Sequence, residues 1–287
     1  MKRIAVLGGT GMAGTVAVKY LKEQGYDVCY TSLDAPDTNN SKALDATDAR
    51  SLIKWLDSVK PDVIYNCMGI LQKTSDARPD LAIMLNSYLP KYLEQKYKET
   101  NVKIIQLSTD CVFSGDRGEY NEADIPDGKT IYDRTKLLGE IDNDKDLTFR
   151  MSIIGPEHNV NGTGLFNWFM GQNGTIRGFT NVLWTGLTTI ELTRAVDEAI
   201  KQNLTGLYHL ATKKPISKYD LLILFKQIFN RHDICIESYD DHVSNKTLVC
   251  TRTDFDFKML DHLHQIEDMR DWIGKHSTLY EHYRFNG

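Results

Sequence analysis

The sequence predicts an α/β fold: a Rossmann-type doubly wound parallel sheet with a smaller C-terminal substrate-binding lobe. Three observations lead there. Short β-rich runs alternate with longer segments of helical period over the first half of the chain. A glycine-rich turn follows the first run directly, and the texture becomes loop-rich beyond about residue 155. Residues 3–7 read as a buried strand, residues 12–24 as a helix with Val16, Tyr20 and Leu21 on one face, and residues 27–31 as a second strand. A helix over 52–59, a strand over 62–66 after Pro61, a long helix over 81–99 and a strand over 102–108 continue the alternation. A helix over 132–141 and a strand over 147–154 complete the first domain, residues 1–154. In the second, residues 155–287, Gly155, Gly162, Gly164, Gly171, Gly174, Gly178 and Gly186 crowd together with Pro156. Helices resume over 188–202 and 218–230, with short strands over 207–210 and 234–237, and some of these segments are expected to return to the first domain. The last forty residues carry no clear assignment.

Composition narrows the function classes. A chain of 287 residues buries a sizeable core. Its 34 Lys and Arg against 39 Asp and Glu give a net charge of −5 with no block of like charges, which argues against nucleic acid as the partner. No apolar stretch reaches the ~20 residues of a membrane span. Lys2 and Arg3 precede only a short apolar run before glycines break it, so the N-terminus reads as a strand and not as a signal peptide. Cys29, Cys67, Cys111, Cys235 and Cys250 are odd in number, scattered and never in a CxxC pair, which suggests a reducing cytoplasm without disulfides or zinc. His262 and His264 lie two apart, a poor metal spacing, so no metal is expected.

The turn after the first strand reads GGTGMAG. Glycine is needed where backbone must touch a pyrophosphate and where helix packs on strand, and the helix N-terminus supplies N–H donors. Gly8, Thr10, Gly11, Met12 and Gly14, with Ser32 at the end of the second strand, are therefore candidate dinucleotide-binding residues. The acid that usually meets the ribose 2′-hydroxyl is late or absent, since Tyr30, Thr31, Ser32 and Leu33 precede Asp34. NADP is expected on that ground, with NAD also admitted, and a cation such as Arg3 would have to come near to strengthen the preference.

Tyr132 and Lys136 in YDRTK share a helix face, where an ammonium beside a phenol lowers its pKa toward working pH. Tyr92 and Lys96 match the same spacing, but lie in an amphipathic helix with no polar cluster. Tyr132 instead follows QLSTDCVFSG, whose Ser108, Thr109 and Asp110 end an apolar strand where α/β sheets bind ligands.

GGTGMAG, NCMG at 66–69, STDCVF at 108–113 and YDRTKLLGE at 132–140 together resemble the extended short-chain dehydrogenase/reductases. Among them the chain is most similar to the dTDP-4-dehydrorhamnose reductase group, with WTGLTTIEL at 184–192 the main likeness in the second half. The resemblance implies NAD(P)H-dependent reduction of a nucleotide-activated 4-keto-6-deoxy sugar for cell-surface polysaccharide. It makes Thr109 the catalytic hydroxyl, Tyr132 the proton donor and Lys136 the ribose ligand that tunes Tyr132. It also puts Asp45 near adenine and Cys67, Met68 and Gly69 along the adenosine side, with Asn86 holding a water near Lys136. Cys111 stands where related dehydratases carry Glu, which disfavours dehydration, and Asp133 stands where the group more often has Gly. Cys111 reads as a small buried side chain, Trp184 as either a stacking platform or core, and Leu221, Leu222, Phe225 and Phe229 as core or the contact of a homodimer. Competing readings keep the fold: a UDP-linked N-acetyl-ketosugar reductase, a nucleotide-sugar epimerase, or a non-catalytic regulatory subunit.

Overall fold

The computed structural model describes residues 1–283. Strands β1 (Arg3–Leu7), β2 (Asp27–Ser32), β3 (Ser41–Ala43), β4 (Val63–Asn66), β5 (Lys103–Leu107) and β6 (Leu147–Arg150) join a later strand, Gly206–His209, in one seven-stranded sheet. Every pairing in it is parallel, and β3, β2, β1, β4, β5 and β6 lie in that spatial order, followed by Gly206–His209. The order reverses direction between β1 and β4, so the crevice at their C-terminal ends is the switch point where such sheets take ligands.

Helices cover both faces, because strands buried on two sides need apolar partners on each. On one face α1 (Met12–Glu23) and the later helix Thr189–Gln202 pack with Ile4, Val6, Tyr65, Leu147 and Phe149. On the other, α2 (Ala49–Val59) and α5 (Leu89–Tyr97) cover Ala5, Leu7, Ile64 and Ile104. A third core of Phe166, Phe169, Trp184, Phe225, Phe229, Met269 and Ile273 belongs to the second half of the chain. The apolar stripe Leu221, Leu222, Phe225 and Phe229 is therefore core.

Two expectations are corrected, and one unassigned region gains a helix. The strand expected over 147–154 is two: β6 stays in the main sheet, whereas β7 (Ile153–Ile154) pairs with Leu187–Thr188. Between them the carbonyls of Met151 and Ser152 accept from Asp110 and Leu187, so the chain changes sheets without an apolar break that the sequence could display. The helix expected over 81–99 is also interrupted. After α3 (Gln72–Ala77) and α4 (Pro79–Ala82), residues Ile83–Tyr88 form a π segment before α5 resumes. Pro90 has no N–H to return to the Asn86 carbonyl. That carbonyl instead meets the end of α6 (Ile131–Leu138), where a Cβ on Gly139 would lie 1.8 Å from it. Finally, the unassigned C-terminal region contains a long helix, His262–Lys275, capped by Asp261 through the backbone N–H of His264.

Gly139 thus lets the helix carrying Tyr132 dock on the π segment. Gly139→Ala is expected to lower unfolding free energy in urea by about 1–3 kcal/mol, the usual range for overpacking. Gly274→Ala, in the last turn of the C-terminal helix with nothing near its Cβ, is expected to leave stability unchanged or raise it by about 0.5–1 kcal/mol. Equal midpoints for the two variants would contradict this packing.

Candidate active site

β1 delivers Leu7 to the switch point, and the chain turns at Gly8 with a φ of +78°, a left-handed conformation that favours glycine. A Cβ on Gly14 would come within 2.0 Å of the Gly8 carbonyl oxygen, so only glycine lets α1 start this close to the loop. Gly11 caps α1 without a side-chain hydrogen bond, and no acid lies in the first turn that begins at Met12. Its first N–H groups and partial positive charge are free for a pyrophosphate. Met68 closes the other wall, 2.9 Å from where a Gly8 Cβ would be, while its N–H donates to Asn66 Oδ1 at 3.2 Å. This cradle fits a dinucleotide. Asp45 follows β3, exposed, with its carboxylate accepting from the backbone and hydroxyl of Thr47. Arg3 pairs with Asp27 at the N-terminal ends of β1 and β2, away from the glycine loop at the other end of β1.

The second group of candidates comes together where β5 ends. Thr109 Oγ1 donates to Asp110 Oδ1 at 3.1 Å and accepts from the Cys111 N–H at 3.1 Å, capping a short 3₁₀ turn, Asp110–Val112. Tyr132, in the first turn of α6, stands close enough to Thr109 for the Thr109 hydroxyl to act on its phenol. The two hydroxyls thus share one side of the sheet edge. One turn on, Lys136 is buried and donates from Nζ to the Leu107 carbonyl at 2.5 Å. A Cβ on Gly69 would lie 3.5 Å from Asn86 Oδ1 and 3.7 Å from Lys136 Nζ, so NCMG, the π segment and α6 meet at the lysine. Asn86 holds that junction: its Oδ1 accepts from the Ile70 N–H at 2.8 Å, and its Nδ2 donates to the Ile70 carbonyl and to Thr135 Oγ1.

Proton affinities differ from the sequence expectation. Burial pushes the Tyr132 phenol above its ordinary value, with Cys111, Asp110 and Asp133 adding to it and the Thr109 hydrogen bond opposing. Burial also pushes the Lys136 ammonium down to about 8, against the attraction of Glu140 and Cys67. The lowering of Tyr132 expected from Lys136 does not set the direction, because desolvation of the phenol outweighs it and the ammonium is directed at Leu107. Burial raises the Cys67 and Cys111 thiols to about 12, which leaves neither a nucleophile.

The ambiguous residues resolve structurally. Asp133 completes a capping box with Thr130: the Thr130 hydroxyl accepts the Asp133 N–H, and the Asp133 carboxylate accepts the Thr130 N–H. Trp184 is core, 3% exposed, with its indole N–H donating to Ser152 Oγ. Tyr92 stacks on Tyr88 and Lys96 pairs with Asp57, so the second Tyr/Lys match is a helix surface. His262 bonds to Thr212 Oγ1, and no metal-ligating cluster exists among the described residues.

Two features escaped the sequence reading. Glu140 and Arg150 form a buried two-pronged ion pair that also takes the Ser108 hydroxyl, and the sequence signal was the Glu ending YDRTKLLGE. Asp34 is not too late in the chain to matter, because its Oδ1 accepts from Thr10 Oγ1 at 2.5 Å and Ser32 Oγ at 3.0 Å. The Thr10 hydroxyl, opposed by burial and helped by Ser32, holds its carboxyl below the usual range, so a negative charge stands beside the glycine loop. A 2′-phosphate placed beside it would be repelled, whereas a 2′-hydroxyl could donate to it. Asp34→Asn is expected to improve NADPH binding relative to NADH about fivefold, about 1 kcal/mol, in fluorescence titrations; an unchanged ratio would place the 2′-position elsewhere.

Comparison with known proteins agrees with this architecture. The profile of the RmlD substrate binding domain matches residues 1–246. A probable low-salt glycan biosynthesis reductase of Haloferax volcanii is 26% identical over 75% of this chain and 76% of its own length. The methionine adenosyltransferase 2 subunit beta of Xenopus tropicalis is also 26% identical, over 80% of this chain and 72% of its own. In fold, the dTDP-4-dehydrorhamnose reductase of Bacillus anthracis, solved in complex with NADP, superposes with a TM-score of 0.81 at 18% identity, covering 95% of this chain and 99% of that one. With one profile running through the glycine loop, the Thr109 turn and α6, the chain belongs to the RmlD substrate binding domain family, within the extended short-chain dehydrogenase/reductases.

Proposed function

We propose that this chain, an NAD(P)H-dependent oxidoreductase, reduces the keto group of a nucleotide-activated 4-keto-6-deoxy sugar, with Thr109, Tyr132 and Lys136 as the working residues. The observation that carries the reading is that Tyr132, Thr109 and Lys136 gather at the C-terminal edge of β5, beside the dinucleotide cradle, with Lys136 Nζ donating to the Leu107 carbonyl and the Thr109 hydroxyl acting on the Tyr132 phenol. NAD(P)H would supply the hydride when bound; Gly8, Gly11, Gly14 and the α1 N-terminus would hold its pyrophosphate, and Lys136 and the Cys67–Gly69 turn would face its ribose side.

The chain's own groups supply the rest. The raised Tyr132 phenol stays protonated at working pH, which suits a proton donor to a carbonyl oxygen gaining negative charge. Thr109 turns its hydroxyl from Asp110 to the same oxygen as a second donor. Cys111, in place of a carboxylate after Asp110, leaves no second acid there to expel water, which favours reduction over dehydration. Lys136, an ammonium below about pH 8, favours return of a proton to Tyr132 after turnover.

A second reading, a cofactor-binding subunit without turnover, draws on the likeness to a methionine adenosyltransferase subunit. The assembled Thr109, Tyr132 and Lys136 weigh against it.

Tyr132→Phe is expected to cut kcat on a dTDP- or UDP-linked 4-keto-6-deoxyhexose by about 10² to 10⁴-fold while leaving NAD(P)H binding intact. Turnover at the wild-type rate would remove Tyr132 as donor. In wild-type protein kcat should fall as pH rises through about 8, where Lys136 loses its charge; a flat profile across that range would separate Lys136 from proton return.

A further inference from the structure

His209 ends the strand Gly206–His209, fully buried beside Arg150, and the reduction as described gives it no part. Its hydrogen bonds allow the imidazole one state. Nδ1 lies 3.1 Å from the Tyr120 carbonyl and 3.1 Å from the Val249 carbonyl; a carbonyl oxygen only accepts, so Nδ1 carries the proton. Nε2 lies 3.3 Å from Arg150 Nη1; a guanidinium only donates, so Nε2 keeps its lone pair. The ring is therefore neutral and in a single tautomer. Burial, opposed by Glu122 and joined by Arg150, holds it below the ordinary histidine value.

That lone pair completes the surroundings of a buried cation. Arg150 gives Nε to Glu140 Oε1 and Nη2 to Glu140 Oε2, both at 2.8 Å, which leaves Nη1 to His209. The guanidinium lies 5.3 Å from the centre of the Phe113 ring, and His209 meets that ring edge-on with centres 5.9 Å apart. A buried donor stripped of its acceptor is costly, so without Nε2 the guanidinium would turn toward another oxygen and leave its two-pronged seat on Glu140. Glu140 is the next link, since Oε1 also accepts from Ser108, the residue before Thr109, and the chain has left α6 only two positions earlier. His209 is itself anchored: its backbone N–H donates to Glu122 Oε1 at 3.1 Å, and Glu122 Oε2 accepts from the N–H and hydroxyl of Thr251.

We infer that His209 is a positioning residue for Tyr132 and Thr109: an acceptor held in one tautomer, it squares Arg150 on Glu140, which fixes the end of α6 against Ser108. This rests on the reductase reading above, which gives those two hydroxyls the reacting carbonyl. His209 transfers no proton and acts only through Arg150 and Glu140.

The test compares two variants of the full chain. His209→Asn keeps an amide N–H for the Tyr120 and Val249 carbonyls but offers Arg150 no acceptor, whereas His209→Gln can place an amide oxygen where Nε2 stands. His209→Asn is expected to lower kcat on the nucleotide sugar about 10- to 100-fold with KM within about twofold, and His209→Gln to recover most of the loss. Both variants should bind the reduced dinucleotide as wild type does, which reports an intact fold. Wild-type kcat in His209→Asn, equal losses in the two variants, or lost dinucleotide affinity in both would overturn the assignment. Backbone amide exchange over residues 132–139, measured without ligand, separates this claim from the reductase reading. It should be about tenfold faster in His209→Asn, the weight of one hydrogen bond, and near wild type in His209→Gln. If wild-type protein reduces no nucleotide sugar yet exchange follows that order, the positioning role stands and the reductase reading falls. Equal exchange in all three proteins removes the positioning role.

Discussion

The convergence of the site depends on one carboxylate. Glu140, just past the end of α6, accepts from Ser108 Oγ at 2.6 Å and Arg150 Nε at 2.8 Å on one oxygen, and from Arg150 at 2.8 Å on the other. It thereby fastens the helix that carries Tyr132 and Lys136 to the ends of β5 and β6, one residue before Thr109. The pair is buried on both sides, and Arg150 also reaches His209 Nε2 at 3.3 Å and lies over the Phe113 ring. Such a pair adds little net stability over an apolar replacement, but stranding either charge costs about 3–5 kcal/mol, so its worth is in fixing position. Gly139 serves the same end, since its missing Cβ lets the helix close on the Asn86 carbonyl.

The electrostatics follow from that closure. Burial raises the Tyr132 phenol and lowers the Lys136 ammonium, opposite shifts from one cause, because each disfavours its charged form. A protonated phenol one helical turn from a lysine pushed down to about 8 is a pairing suited to giving and regaining a proton near neutrality. The thiols of Cys67 and Cys111 are pushed the same way and are quiet as a result.

Much of this was legible in the sequence, where it depended on local pattern. Residues 3–7, 27–31, 62–66 and 102–108 read as strands because both of their faces are buried, and the glycines at 8, 11 and 14 announce a close backbone approach. Thr109 and Tyr132 were found by their place after a strand and on a helix. What was missed depends on contacts distant in the chain. The π segment arises where Pro90 meets Gly139, 49 positions apart, and the change of sheet after Arg150 is dictated by partners at 110 and 187. Asp34 matters because Thr10 and Ser32 hold its side chain back toward the loop. The C-terminal helix, by contrast, did carry a signal: buried positions 262, 265, 266, 269, 272 and 273 recur at helical spacing behind Asp261.

The account stands or falls on hydride consumption. Wild-type protein given NADH or NADPH and a panel of dTDP- and UDP-linked keto sugars should oxidise one reduced dinucleotide for each sugar reduced, read as loss of the reduced nicotinamide's near-ultraviolet absorbance. Product formed with that absorbance constant would mean an epimerase that recycles its cofactor, and dinucleotide binding with no product from any sugar would mean a binding subunit; either contradicts the reductase.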